Sequence, residues 1–154
     1  MQKRDTANEH LLTVLLTAKN RLEYLTPNDW TLLVDKAKIV HFKRDEALLQ
    51  FGKQTRVVYL LLKGNARVDD STHGRIALLE PGEVCGEMAF LENGQASATV
   101  VAVDEVEAYA LEWSALTDLF ELFPHLGSRF YRSLAVNLSR RLRDQITAKK
   151  TLVK

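Results

Sequence analysis

Cysteine, proline and glycine are scarce, numbering one, three and seven in 154 residues. The lone Cys85 cannot form an internal disulfide or build a multi-cysteine zinc or iron–sulfur site. So little glycine and proline excludes a collagen-like or low-complexity chain. No apolar run approaches the ~18 residues that span a bilayer. The start, Met1-Gln2-Lys3-Arg4-Asp5-Thr6, turns polar instead of leading into a signal-peptide apolar region. With 46% hydrophobic residues and a formal net charge of +1, disorder is excluded as the main theme. These absences leave one soluble globular domain, large enough for a real core, with a reducing cytoplasmic location as the default.

Histidine is sparse too. His10, His41, His73 and His125 stand far apart without paired ligand spacing, so no metal site is expected. The same scatter argues against a metal-binding cupin, the competing small β-barrel, which clusters histidines with a glutamate.

The near-zero net charge hides an asymmetry. Residues 126–154 carry eight basic residues against Asp144 alone, leaving thirteen basic against nineteen acidic elsewhere. Such a basic segment on an acidic body can meet nucleic acid, an anionic membrane surface or an acidic partner. Because its charges are spread along the segment, it is read as a solvated helix face.

Helical signals open and close the chain. Thr6-Ala7-Asn8-Glu9 has capping-box spacing, and Leu11, Leu15, Ala18 and Leu22 follow at helical intervals. At Thr26-Pro27-Asn28-Asp29, Thr26 suits the cap, Pro27 the first helical position and Asp29 the positive helix end. Trp30, Leu33, Val34 and Ala37 then give one apolar face. Near the end, Ser114 is the expected cap of a short helix carrying Leu116, Leu119 and Phe120, and Pro124 opens a long one.

Between them lie short β-type runs at 39–42, 47–51, 57–62, 66–68, 75–79, 98–103 and 106–111, parted by polar or glycine turns. Asp69 to Gly74 is the expected hairpin loop. The spacing predicts an α+β chain, a closed roll or jelly roll with N-terminal helices and a long C-terminal helix. The expected units are a helix at 1–24, the roll with flanking short helices at 25–125, and the long helix with its basic tail at 126–154.

In the last helix Leu126, Phe130, Leu134, Leu138, Leu142 and Ile146 recur every four residues. Each step of four turns the stripe by about 40°, so over five steps it migrates about 200° around the axis. The first half is therefore expected to pack on the body and the second on something else. A second copy of the chain is the simplest partner, through Phe130, Leu134, Leu138, Leu142 and Ile146.

The densest motif is Leu79-Glu80-Pro81-Gly82-Glu83-Val84-Cys85-Gly86-Glu87-Met88-Ala89-Phe90-Leu91-Glu92-Asn93-Gly94-Gln95-Ala96-Ser97-Ala98-Thr99-Val100. Pro81-Gly82 is a turn, and Gly86 lets the backbone pass close to a neighbour. Residues 88–91 suit one apolar helical turn whose free N–H groups form an anion cradle. Gly94 permits a positive φ before the last strands. A carboxylate at Glu87, beside those N–H groups, suits a ligand hydroxyl.

This segment resembles the phosphate-binding cassette of cyclic nucleotide-binding domains, the sensor half of Crp/Fnr regulators and a module of protein kinase A and certain channels. The strand–glycine–strand step at 59–68 and the element order from Leu22 to Ile146 extend the likeness. The resemblance implies that the roll is an eight-stranded antiparallel β-roll, with a ligand site at Gly86, Glu87, Met88, Ala89, Ser97, Ala98 and Thr99. It implies that Glu87 holds a ribose 2′-hydroxyl, that backbone groups of 86, 88 and 89 hold the phosphate, and that Ser97 and Thr99 hold the phosphate or base edge. It also implies cAMP or cGMP as ligand, no required cofactor, and an output domain or partner protein moved by the last helix.

One departure matters. The family arginine that pairs with the cyclic phosphate is absent from Gly94-Gln95-Ala96-Ser97. Losing a charge-assisted bond of ~3 kcal/mol weakens binding more than a hundredfold. Arg75, Arg132 and Lys63 are nominal substitutes. Two roles follow: a regulatory sensor that binds cyclic nucleotide weakly, or a roll that has given up nucleotide and serves as a dimerisation and protein-interaction module.

Other residues point away from chemistry. Cys85 has no flanking cation and is read as a buried, inert thiol. No second acid, nucleophile or base accompanies Glu87, so no enzyme activity is expected. Trp30, Trp113 and Tyr131 are read as packing residues, although Tyr131 could cap a purine. The chain ends eight residues past Ile146, so no DNA-recognition helix and no direct DNA binding are expected.

Overall fold

The computed structural model describes residues 13–70 and 74–153. The capping box at 6–9, Leu11, His10 and His73 lie outside the described residues.

Residues 13–17 are helical and form the described part of α1. The chain then turns, so Leu22 is buried from an irregular segment and does not extend the helix. Helix α2 (Pro27–Lys36) starts as its residues dictate. Thr26 Oγ1 accepts from the Asp29 N–H at 3.1 Å and Asp29 Oδ2 accepts from the Thr26 N–H at 3.0 Å, a reciprocal capping box.

Eight strands follow: β1 (Lys38–Phe42), β2 (Ala47–Leu49), β3 (Val57–Lys63), β4 (Ala66–Asp70), β5 (Gly74–Leu79), β6 (Val84–Cys85), β7 (Thr99–Ala102) and β8 (Val106–Glu112). They form two four-stranded antiparallel sheets, ordered β1-β8-β3-β6 and β2-β7-β4-β5. This is the expected roll. The cassette also contains a two-residue strand, β6, which the strand spacing does not signal.

Strand β3 explains how the roll and the helices join. Its side chains alternate between two environments. Val58, Leu60 and Leu62 enter a core shared with the helices, while Tyr59 and Leu61 enter the interior of the roll. A strand covered on both faces tolerates no polar position, hence the unbroken apolar run 57–62.

The cassette folds into β6 and the short helix α3 (Glu87–Glu92). Two further helices end the chain, α4 (Trp113–Leu122) and α5 (Pro124–Val153). Helix α4 begins one residue before Ser114, with Glu112 at the cap position and no side-chain cap. Backbone pairing of β8 carries the chain straight into this helix and leaves Ser114 inside it. Pro124 opens α5 as expected.

The start of α5 belongs to the helical core: Leu126, Phe130 and Leu134 are at most 1% exposed. Ser133 Oγ accepts from the Tyr24 N–H at 3.0 Å, and the Arg132 guanidinium lies 4.1 Å from the Tyr24 ring centre. Further on, Asn137 Nδ2 donates to the Asn20 carbonyl at 3.3 Å, and Arg140 pairs with Glu23 at 2.8 Å. The basic helix is thus partly neutralised within the chain. Arg129, Arg132, Arg140 and Arg141 meet acidic or aromatic partners while keeping contact with solvent, so the solvated face also carries contacts to the body.

Candidate functional site

Gly86 sets the site. It has φ +86°, a left-handed conformation that glycine adopts without penalty, and a Cβ there would stand 2.9 Å from the Val57 carbonyl oxygen. With no side chain at this step, the backbone turns from β6 directly into α3 and places Glu87 in its first turn. The helix closes on Asn93, at φ +53°, whose N–H reaches the Ala89 and Phe90 carbonyls. Asn93, and not Gly94, therefore supplies the positive φ, because the helix ends one residue earlier than the glycine suggests.

Beside this elbow lies a cavity of about 360 Å³, within the ordinary range for small-molecule sites. Its floor is the inner face of the second sheet, with Leu49, Val68, Leu79 and Val100. Its rim carries six of the seven expected ligand residues: Gly86, Glu87, Met88, Ala89, Ser97 and Ala98. Thr99 is absent from the lining. It points away on the alternating strand, and its hydroxyl accepts from the Phe51 N–H at 3.1 Å.

The roof comes from a distant segment that no sequence motif joins to the cassette. Leu138, Arg141, Leu142 and Gln145 of α5 line the cavity. Arg141 Nη1 donates to Glu87 Oε1 at 3.2 Å, and its Nη2 lies 3.9 Å from Glu83 Oε1. Glu83 is itself buried, accepting from Asn20 Nδ2 at 2.9 Å and from the Glu80 N–H at 2.6 Å.

Of the nominal substitutes for the missing arginine, Lys63 pairs with Glu107 at 3.9 Å and Arg132 stacks on Tyr24, both away from the cavity. The Arg75 side chain lies outside the described residues.

Burial is the dominant influence on Glu87. It pushes the carboxyl above its ordinary value, while Arg141 pulls it back. Burial also raises the Cys85 thiol, helped by the Glu87 charge, so this cavity-lining thiol stays protonated.

Tyr131 does not reach the cavity. It stacks on Phe90 of α3, centroids 6.0 Å apart and planes 2° from parallel, and Phe90 also packs edge-on against Phe130. These rings tie the cassette helix mechanically to α5.

The five α5 positions expected to meet a second copy divide. Phe130 and Leu134 have no exposure and are consumed by the chain's own core, so they can offer nothing to a partner. Leu138 and Leu142 face the cavity. Leu142 at 58% and Ile146 at 45% exposure keep apolar surface in solvent.

Among the described residues, no group of three or more His, Cys, Asp or Glu side chains could hold a metal ion, and no helix is long and apolar enough to cross a membrane.

A family model described as "Cyclic nucleotide-binding domain" matches residues 39–122. The chain is similar to the cyclic AMP receptor protein of Thermus thermophilus, 31% identical over 78% of this chain and 56% of that protein. It is also similar to cyclic GMP-binding protein C of Dictyostelium discoideum, 28% identical over 80% of this chain and 5% of that protein. The chain thus spans little more than half of the first of these relatives and a small part of the second. A crystal structure of a cyclic nucleotide-binding domain from Methylobacillus flagellatus superposes with a TM-score of 0.76 at 25% identity, covering 94% of this chain and 85% of that one.

Proposed function

Because the chain belongs to the cyclic nucleotide-binding domain family, we propose that it is a non-enzymatic sensor module that takes a cyclic nucleotide, cAMP or cGMP, into the cavity under α5. Glu87 carries this reading. It is a carboxylate with 5% exposure whose charged form is disfavoured by burial, against the pull of Arg141, and it lines a cavity of small-molecule size. A buried charge kept at such a cost points to a ligand. In this reading the Glu87 carboxylate accepts the ribose hydroxyl. The backbone at 86, 88 and 89 and the Ser97 hydroxyl meet the phosphate, and the apolar floor meets the base.

The signal leaves through α5. That helix roofs the cavity with Leu138 and Leu142 and is stacked on α3 through Tyr131 and Phe90. A ligand that changes the packing of this roof shifts the population of α5 positions, which an output domain or partner protein then reads. The relatives' names divide between cyclic AMP and cyclic GMP, so both ligands enter the test. Equilibrium binding of each, with and without the Glu87 carboxylate, decides the reading.

A second reading is favoured by one observation, the absence of an arginine from the cassette. In it the roll no longer binds nucleotide and serves as an interaction module, paired with a second copy through the exposed Leu142 and Ile146. Either role suits the reducing cytoplasm, where an unpaired Cys85 persists.

A further inference from the structure

The cavity holds an unusual balance of charge. Glu87 and Glu83 are both buried and both converge on one guanidinium, that of Arg141, which is the only cation among the described side chains that line it. Glu83 already has two other donors, Asn20 Nδ2 and the Glu80 N–H. For Glu87, Arg141 is the one side-chain donor found among the described residues.

An anion entering a space lined by the Glu87 carboxylate, with the Glu83 carboxylate close behind on Arg141, is repelled unless a cation faces it. No cassette residue supplies that cation, because residues 79–100 contain no lysine or arginine. Arg141 is placed to do so. Its side chain is 37% exposed, so it retains room to turn, and it borders the same cavity as Ser97 and the start of α3. A planar guanidinium binds phosphate oxygens through two parallel N–H bonds, as it binds carboxylates.

We infer that α5 delivers the phosphate-binding cation of this site: Arg141 latches onto Glu87 when the cavity is empty and exchanges it for the ligand's phosphate when the cavity fills. Glu87, released, is free to accept a ribose hydroxyl. One exchange thus prepares both polar contacts and couples occupancy to the seat of α5. The inference rests on the sensor reading above and adds to it the source of the charge.

The test is calorimetric titration of the whole chain, its Arg141→Gln variant and its Arg141→Lys variant with cAMP, cGMP, adenosine and guanosine. Arg141→Gln should weaken cyclic nucleotide binding by roughly 10–100-fold, and Arg141→Lys should recover part of it. Binding of the uncharged nucleosides should not weaken in either variant, since the charge-assisted bond is made to the phosphate and loss of the latch leaves Glu87 free for the ribose. An Arg141→Gln chain that folds normally by circular dichroism and binds cyclic nucleotide as tightly as the parent, or more tightly, overturns the inference and leaves the sensor reading intact. A parent chain that binds none of the four at millimolar concentration overturns the sensor reading and this inference with it.

Discussion

Arg129 and Asp29 clamp the first turns of α5 to the first turn of α2. The guanidinium donates to both carboxylate oxygens, Nε to Oδ2 at 2.6 Å and Nη2 to Oδ1 at 2.8 Å. The same carboxylate accepts from the Thr26 N–H to cap its own helix. With Asp29 only 2% exposed, this paired geometry fixes where α5 leaves the body, and hence where its later residues fall over the cavity.

The clamp makes stability depend on pH in a defined sense. The Arg129 bond, aided by Thr26 and opposed by burial, holds the Asp29 carboxyl below its ordinary 3.8. A carboxyl lowered in the folded state contributes stability above its unfolded value and loses it as pH falls through the folded one. Asp29→Asn should therefore destabilise the chain at neutral pH, with the gap to the parent narrowing below pH 3.8. Urea unfolding on both sides of that value measures it, and a gap that stays constant contradicts the clamp.

Glu87 should behave oppositely. Its carboxyl is raised above 4.5 by burial, so the ionised form costs the fold stability once pH exceeds that value. Glu87→Gln should raise the melting temperature of the ligand-free chain at neutral pH, and the gain should fade below pH 4.5. A variant that melts lower than the parent at neutral pH would show that Glu87 serves the fold and not a ligand.

The two halves of α5 should differ in kind. Leu134 has no exposure, and Leu134→Ala should cost ~2–5 kcal/mol in denaturant unfolding. Ile146 is 45% exposed, and Ile146→Ala should change stability by less than ~0.5 kcal/mol. If the exposed half meets a second copy, light scattering should give twice the 17.5 kDa chain mass for the parent and a single chain for Ile146→Glu. A parent that is already monomeric removes the dimer, and equal unfolding costs for Leu134 and Ile146 remove the division of the helix.

What the sequence makes legible is local. The α2 cap needs only Thr26, Pro27 and Asp29, three residues apart at most, and it forms as read. The roll follows from strand spacing, and the cassette elbow from Gly86-Glu87. What stays hidden is set by contacts between distant segments. Arg141 lies 54 residues from Glu87, and no spacing rule joins them. One signal was present. Leu134, Leu138, Arg141 and Gln145 follow one straight helical face, whereas the row of every fourth apolar residue spirals away from it. Following the straight face puts Arg141 on the side of the buried Leu134. Thr99 was misplaced for a related reason, since strand alternation, and not proximity to the cassette, decides which side chains enter the cavity.

The central claim is that the space between Glu87 and α5 accepts a cyclic nucleotide, and thermal unfolding with added ligand tests it most directly. At a ligand concentration about 100 times the dissociation constant, binding stabilises the fold by ~2.7 kcal/mol, or roughly 5–10 °C for a chain of this size. The account predicts a rise of that order with cAMP or cGMP in the parent, growing with the logarithm of ligand concentration, and its loss in Glu87→Ala. No rise with either nucleotide at millimolar concentration, or an equal rise in Glu87→Ala, would contradict it.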